Sequence, residues 1–162
     1  MNNEKNQKIT IHNLLRFLKK ANLGTIATVN GDNKPDAATI RYIVKDNLDI
    51  FFLTKKETGK YKNIQRQSEV VLIVTNAEEP ETVKVRGNAF PVTDDPNIIS
   101  EIVTTLAQSE KFIADLDKFL PIIKRDAGEI VAMKIRPHEI RMSKYNMESL
   151  EEELFYFEGV SR

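Results

Sequence analysis

Four lysines surround the start of a predicted helix in the segment TKKETGKYK, which covers residues 54–62. The four are Lys55, Lys56, Lys60 and Lys62, and a single acid, Glu57, lies among them. A helix dipole favours anions at its amino terminus, so basic side chains there cost stability unless an external anion offsets them. A phosphate would accept hydrogen bonds from the first-turn amides, the Thr58 hydroxyl and the Lys60 ammonium. The pattern is equally compatible with lysines that only solubilise an exposed turn and a Thr58 that only caps the helix.

Arg41 is a second candidate for anion binding because it lies in the middle of a predicted strand. It either points to solvent, as most strand arginines do, or lines a groove together with Lys60. His12 and His138 are the only imidazoles of the chain. We expect each at the surface rather than acting as a general base.

The composition excludes several kinds of site. The 162 residues include no Cys, which excludes a disulfide scaffold, a zinc–cysteine site, an iron–sulfur cluster and a thiol nucleophile. Two histidines are too few for a multi-histidine metal site within one chain. The glycine-rich cradles of nucleotide-binding proteins are also missing, since no GxSxG, P-loop or GxGxxG pattern occurs.

Charge is balanced overall but unevenly distributed. The chain has 24 basic and 24 acidic side chains, which argues against a nucleic-acid binder. Residues 1–68 carry 13 Lys and Arg against 6 Asp and Glu, whereas the remainder carries 11 against 18. Either an anionic ligand binds the first half, or the two halves simply present differently charged solvated faces.

The length predicts one domain over residues 1–162. The polar amino terminus lacks the apolar stretch of a secretory signal, and no apolar run approaches the ~20 residues of a membrane helix. We therefore expect a cytoplasmic protein with no membrane partner.

Hydrophobic spacing predicts a helix followed by a meander of three strands. The helix is capped by Thr10 and ends at Asn22 or Gly24, and its apolar stripe is Ile11, Leu14, Leu15 and Leu18. The strands follow at residues 23–30, 36–45 and 48–54. Asn30-Gly31 predicts a tight hairpin turn between the first two.

The remaining chain alternates helices and strands. A helix over residues 59–67 capped by Thr58 precedes an apolar central strand over 69–75 and an alternating strand over 82–92. Asp95-Pro96 predicts the start of a helix. Its expected buried stripe is Ile98, Ile99, Ile102 and Leu106, and a further helix uses Phe112, Ile113, Leu116 and Leu120.

The last strand is predicted over residues 129–145, with an interruption near Pro137. Residues 147–162 form a docking helix, a strand or a tail that packs on a partner subunit. The tally is about six mostly antiparallel strands with helices between some of them. This predicts a mainly β fold, a closed or split β-barrel with flanking helices, rather than a parallel α/β sheet.

The order of these segments resembles the pyridoxamine-phosphate-oxidase-like family of flavin-binding split barrels. The likeness covers residues 9–93 and the last strand. Its motif is a strand ending in Thr54, a short loop, then Thr58-Gly59-Lys60 opening a helix, and a later V-x-V-x-G-x-A strand over residues 83–89. The resemblance implies a six-stranded Greek-key barrel that binds FMN and forms a homodimer with flavin sites between the subunits.

The resemblance also implies roles for individual residues. Thr58 and Lys60, on either side of Gly59, would hold the phosphate of FMN. Bordering the flavin ring would be Thr39, Ile40, Arg41 and Tyr42, together with Leu53 and Thr54. No residue is assigned to catalysis, since the sequence offers no convincing acid or base.

Two departures from the family bear on the substrate. True pyridoxamine-phosphate oxidases have an arginine where this chain has Gly59, and they end in an arginine-bearing motif with a tryptophan. This chain has no Trp and an acidic tail, so we expect poor oxidation of vitamin B6 phosphates. The leading hypothesis is an FMN-dependent oxidoreductase. Its partner would be a small-molecule substrate of unknown identity or a nicotinamide reductant. The alternatives are a non-catalytic flavin- or haem-binding module, a deazaflavin-dependent reductase and, least favoured, a nucleic-acid-binding barrel.

Overall fold

The computed structural model describes residues 9–76, 80–108, 128–145 and 149–157, and these form three helices and seven strands. In chain order the helices are α1 (Ile11–Ala21), α2 (Gly59–Arg66) and α3 (Ile98–Ala107). The strands are β1 (Leu23–Val29), β2 (Pro35–Val44), β3 (Ile50–Lys55), β4 (Glu69–Asn76), β5 (Glu81–Pro91), β6 (Ile130–Tyr145) and β7 (Leu150–Tyr156). The helix predicted around Phe112 and Leu120 lies outside the described residues. No helix in the described ranges is long and apolar enough to cross a membrane.

Six strands close into an antiparallel barrel in the order β3-β2-β1-β4-β5-β6, with β3 returning to pair with β6. Strands β1 to β3 follow one another as a meander and β4 returns to lie beside β1, which is a Greek-key arrangement. The predicted split-barrel fold is therefore confirmed. The seventh strand, β7, pairs with residues 139–145 of β6 outside the barrel. Within residues 147–162 the structure shows a strand over Leu150–Tyr156 in place of the alternative docking helix, and packing of this segment on a partner subunit stays a prediction.

Helix α1 packs against the barrel core through Leu14 and Leu18 of its predicted apolar stripe, but the stripe is wrong at Ile11, which is 52% exposed. Thr10 caps it by accepting a hydrogen bond from the Asn13 amide, and Asn22 ends it in the left-handed conformation at φ 41°. The Tyr42 hydroxyl, buried in the barrel, donates to the Leu18 carbonyl at 3.0 Å. Burial also raises the pKa of the Tyr42 phenol well above its usual range.

The turn between β1 and β2 differs from the predicted tight turn at Asn30-Gly31. The Asn30 amide donates to the Lys34 carbonyl at 2.9 Å, so three residues rather than two separate the paired positions. The left-handed residue is Asn33, at φ 57°, and not Gly31. The Asn30 side chain explains the longer turn, because its Oδ1 accepts from the amides of Asp32 and Lys34 at 2.9 and 3.0 Å.

Helix α3 packs on the outer face of the barrel. It begins at Ile98 rather than at Asp95-Pro96, because the Asp95 carboxylate accepts from the Asn97 amide at 3.0 Å and caps a turn that precedes the helix. Ile99 was predicted to be buried but is 39% exposed, which corrects the expected stripe. The remaining stripe residues pack in a second apolar cluster outside the barrel, formed by Ile43, Phe51, Leu53, Ile98, Ile102, Leu106 and Ala132.

Strand β6 continues through Pro137 without the predicted interruption. Its pairing with β5 shifts register between Arg86 and Gly87, which leaves His138 as an extra residue on β6. A β-bulge of this kind lets a strand pass a residue that has no amide hydrogen. A Cβ on Gly87 would collide with the Arg136 backbone, so glycine is required for this close approach. His138 lies in the strand, with Nε2 2.9 Å from a Glu69 carboxylate oxygen.

Candidate functional site

The candidate site lies where β3 leads into α2. Thr58 is the N-cap of α2, as predicted, and its Oγ1 accepts from the Tyr61 amide at 3.4 Å. The Oγ1 atoms of Thr58 and Thr54 are 2.9 Å apart, and Thr54 is only 1% exposed. The two hydroxyls of the sequence motif are therefore in direct contact, which fixes the start of the helix against the end of the strand.

The Thr58 hydroxyl is fully used within this junction. It donates its only hydrogen to the Lys55 carbonyl at 2.8 Å, so Thr54 must be the donor in the bond between the two hydroxyls. Thr58 can donate to a phosphate only after rotating away from the Lys55 carbonyl. The amides of Gly59 and Lys60, by contrast, donate to no acceptor within the described residues. These two amides are the first-turn donors that an anion can accept from directly.

Lys60 is the only one of the four lysines that combines partial burial with the lack of an ionic partner, as far as the described residues show. Its ammonium has no carboxylate within 4 Å among them. Burial lowers the pKa of Lys60, while the charge of Asp36 acts in the opposite direction. An ammonium in this position is stabilised by an anion that replaces the lost water.

The other lysines of the segment are not equivalent to Lys60. Lys56 pairs with Glu129 at 2.7 Å, and the hydrogen bond to this acid raises the pKa of Lys56. Lys62 is exposed, and Lys55 already has a partner. No cluster of three or more metal-ligating side chains occurs in the described ranges. The geometry therefore selects Lys60 from the lysine-rich segment.

A polar network next to the helix start was not predicted from the sequence. The Asn63 side-chain amide donates to the Thr28 hydroxyl and to Asp36 Oδ2, each at 3.0 Å. A Cβ built on Gly59 would lie 3.3 Å from the same Asp36 oxygen. Asp36 thus places a negative charge beside the candidate phosphate site, where it reduces the attraction of Lys60 for an anion.

The four predicted residues of β2 alternate between two faces. Ile40 and Tyr42 point into the barrel core, so only their backbone can border a ligand on the outside. Thr39 is exposed, and the half-buried Arg41 donates from Nη1 to Asn22 Oδ1 at 2.9 Å. Arg41 is therefore held toward the end of α1. The groove that Arg41 was expected to share with Lys60 stays a prediction.

Leu53 was predicted to border the flavin, and it lies on the outer face of β3 within the cluster under α3. The structure thus joins Thr54, Thr58 and Lys60 in one junction and places Thr39, Arg41 and Leu53 on outer faces of neighbouring strands. Sequence analysis missed Asp36 and Asn63, which are 27 residues apart. Nothing in the local spacing connects them, because the contact exists only once the barrel closes.

A family model described as pyridoxamine 5′-phosphate oxidase matches residues 11–144 of this chain. The match covers most of the 162 residues, so the chain belongs to the pyridoxamine 5′-phosphate oxidase family. This confirms the resemblance found in the sequence motifs. The comparison with curated proteins gives no match.

Several solved structures share the fold. A pyridoxamine 5′-phosphate oxidase-related, FMN-binding protein from Nostoc punctiforme PCC 73102 has a TM-score of 0.62 at 15% identity, covering 88% of this chain and 87% of its own. An F420 reductase has a TM-score of 0.61 at 21% identity, covering 77% and 93%. A heme-binding protein from Mycobacterium smegmatis has a TM-score of 0.60 at 14% identity, covering 91% and 59%. At these identities the likeness shows the fold alone.

Proposed function

We propose that this chain is an FMN-binding oxidoreductase that holds the phosphate of FMN at the start of α2. The observation that carries the proposal is the half-buried Lys60 ammonium, which has no acid partner among the described residues and follows two unused amides. These groups fit a phosphate, since the lysine supplies charge and the amides of Gly59 and Lys60 supply hydrogen bonds. Thr58 adds a further donor when its hydroxyl turns from the Lys55 carbonyl.

The flavin ring would extend along the outer face of β2, beside Thr39 and Arg41, with Leu53 on the neighbouring strand. The backbone of Ile40 and Tyr42 would face it between these side chains. When bound, FMN supplies the electron or hydride transfer between a reduced partner and a small-molecule substrate, and the protein supplies binding and orientation. A nicotinamide reductant is the proposed electron donor.

We also propose a homodimer with the flavin between the subunits. In support, several large apolar side chains are exposed outside the barrel: Ile130, Tyr145, Leu150, Leu154 and Tyr156. Exposed apolar surface of this kind is typical of protein interfaces. Light scattering in the presence of saturating FMN is expected to give a dimer mass, and a monomer mass would contradict the proposal.

The substrate is proposed to differ from the vitamin B6 phosphates. Gly59 stands where those oxidases have an arginine, and Asp36 adds a negative charge at the same place. Efficient production of pyridoxal phosphate by the FMN-loaded protein would contradict this.

The cofactor assignment is tested by titrating the purified protein separately with FMN, F420 and haemin, following absorbance and flavin fluorescence. We expect one FMN per chain with an affinity clearly higher than that for the other two. Anaerobic NADH or NADPH should then bleach the flavin bands. Preferential binding of F420 or haemin would assign that cofactor to the site in place of FMN. Bound FMN that neither NADH nor NADPH reduces would favour a passive flavin-binding module.

A further inference from the structure

A second candidate binding site lies between the ends of α1 and β2 and the side of α3. It is a cavity of about 430 Å³, which is within the range of small-molecule sites. Its lining includes the apolar side chains of Ile43, Val44 and Leu106 and the oppositely charged side chains of Lys45 and Glu101.

The charges of this cavity are already matched. Lys45 Nζ lies 3.0 Å from Glu101 Oε2, and the side chains are 37% and 43% exposed. Lys19, which also lines the cavity, pairs with Asp46 at 2.7 Å. The Lys45 ammonium is further held 4.9 Å from the centre of the Phe51 ring. This contrasts with Lys60, whose ammonium has no carboxylate partner among the described residues.

A phosphate or carboxylate ligand would meet the Glu101 carboxylate beside Lys45 and would have to separate the pair to gain its positive charge. An uncharged ligand pays no such cost. The adjacent ammonium and carboxylate offer one hydrogen-bond donor group and one acceptor group, which complement the C=O and N–H of an amide. The apolar side chains in the same lining complement a ring or hydrocarbon body.

We infer that this cavity binds a small uncharged molecule with an apolar body and an amide-like edge, and that the Lys45–Glu101 pair excludes phosphate esters and carboxylates. The cavity adjoins the strand proposed to border the flavin: Tyr42 lines it, and Asn22 on its wall accepts the hydrogen bond from Arg41. Identification of the bound molecule as the substrate rests on the proposed FMN function. The binding itself does not.

Nicotinamide and nicotinate are a matched pair of probes, because they share a ring and differ in an uncharged amide against a carboxylate. Each is titrated into ¹⁵N-labelled protein, with and without FMN, while the amide signals of Val44, Thr105 and Leu106 are followed. We expect nicotinamide to shift these signals and to bind at least about tenfold more tightly than nicotinate. A factor of this size is expected because the nicotinate and Glu101 carboxylates would meet at close range in a partly desolvated site.

Glu101→Gln should remove most of this preference by improving nicotinate binding, since it deletes the repelling charge and retains a polar side chain. Glu129→Gln is the matched control, because it removes an acid from an ion pair whose members do not line the cavity, and it should leave the preference unchanged. The inference is overturned by no nicotinamide shifts at the cavity, by equal binding of the two probes to the unmodified protein, or by an unchanged preference in Glu101→Gln. If the protein does not bind FMN, the nicotinamide and nicotinate titrations would be identical with and without FMN. The preference for nicotinamide over nicotinate would remain.

Discussion

Replacing Lys60 by alanine is expected to weaken FMN binding 10- to 100-fold. The lysine would make a charge-assisted contact to phosphate, and such contacts contribute about 1.5–3 kcal/mol. At about 1.4 kcal/mol per tenfold change this gives the stated range. Two features of the structure support a real loss: the ammonium is half-buried, and no acid of the described residues competes for it within 4 Å.

Flavin fluorescence titrations with FMN and with riboflavin separate the phosphate contact from general damage. Riboflavin lacks the phosphate, so Lys60→Ala should leave its affinity almost unchanged. Because Lys60 makes no ion pair in the described part of the chain, the substitution should also cost little folding stability. Lys62→Ala is the matched control, since it removes the same charge from the exposed side of the same helix.

If Lys60→Ala weakens the binding of FMN and riboflavin equally, or weakens the binding of neither, this lysine is only a surface charge. A similar loss of FMN affinity in Lys62→Ala would attribute the effect to the overall charge of α2 instead of to one contact.

Four further outcomes are expected. Since the pKa of Lys60 is lowered, this side chain loses its charge at a lower pH than an ordinary lysine, and FMN affinity should fall as the pH is raised through that alkaline range. The variant Lys60→Arg does not titrate there, so its FMN affinity should not depend on pH in this range. Identical pH profiles of the two proteins would contradict the assignment. Asp36→Asn should strengthen FMN binding about threefold without affecting riboflavin. Coulomb's law gives this factor for a carboxylate and a phosphate charge roughly 6 Å apart in a water-like dielectric. Weaker FMN binding in this variant would refute a repulsion between Asp36 and the phosphate. Thr58→Ala should lower the free energy of unfolding by about 0.5–2 kcal/mol through the lost cap, yet reduce FMN affinity less than Lys60→Ala because the hydroxyl is already used by the protein. Tyr42→Phe should cost about 1 kcal/mol in urea unfolding, since it removes a buried hydrogen bond to the Leu18 carbonyl, and an unchanged urea midpoint would contradict this.

Hydrophobic periodicity predicted most elements of the fold because each element shows its buried face locally. The stripe of α1, the alternation along β2 and the apolar run of β4 were all read from residues close together in the chain. Predictions failed where a side chain altered the local backbone. Asn30 lengthened the first hairpin turn, and Asp95 capped a turn ahead of α3.

The sequence by itself determined the family, the barrel and the Thr58–Lys60 junction, because a strand, a capping hydroxyl and a helix start are encoded within about ten residues. Only the tertiary structure decided which of the four lysines combines partial burial with the lack of a carboxylate partner among the described residues, since both depend on elements distant in the chain. It also placed Asp36 and Asn63 beside Gly59 and formed the cavity that contains the Lys45–Glu101 pair. These contacts join residues 23 to 56 positions apart, which become neighbours only when the strands close into a barrel and α3 packs on its outer face.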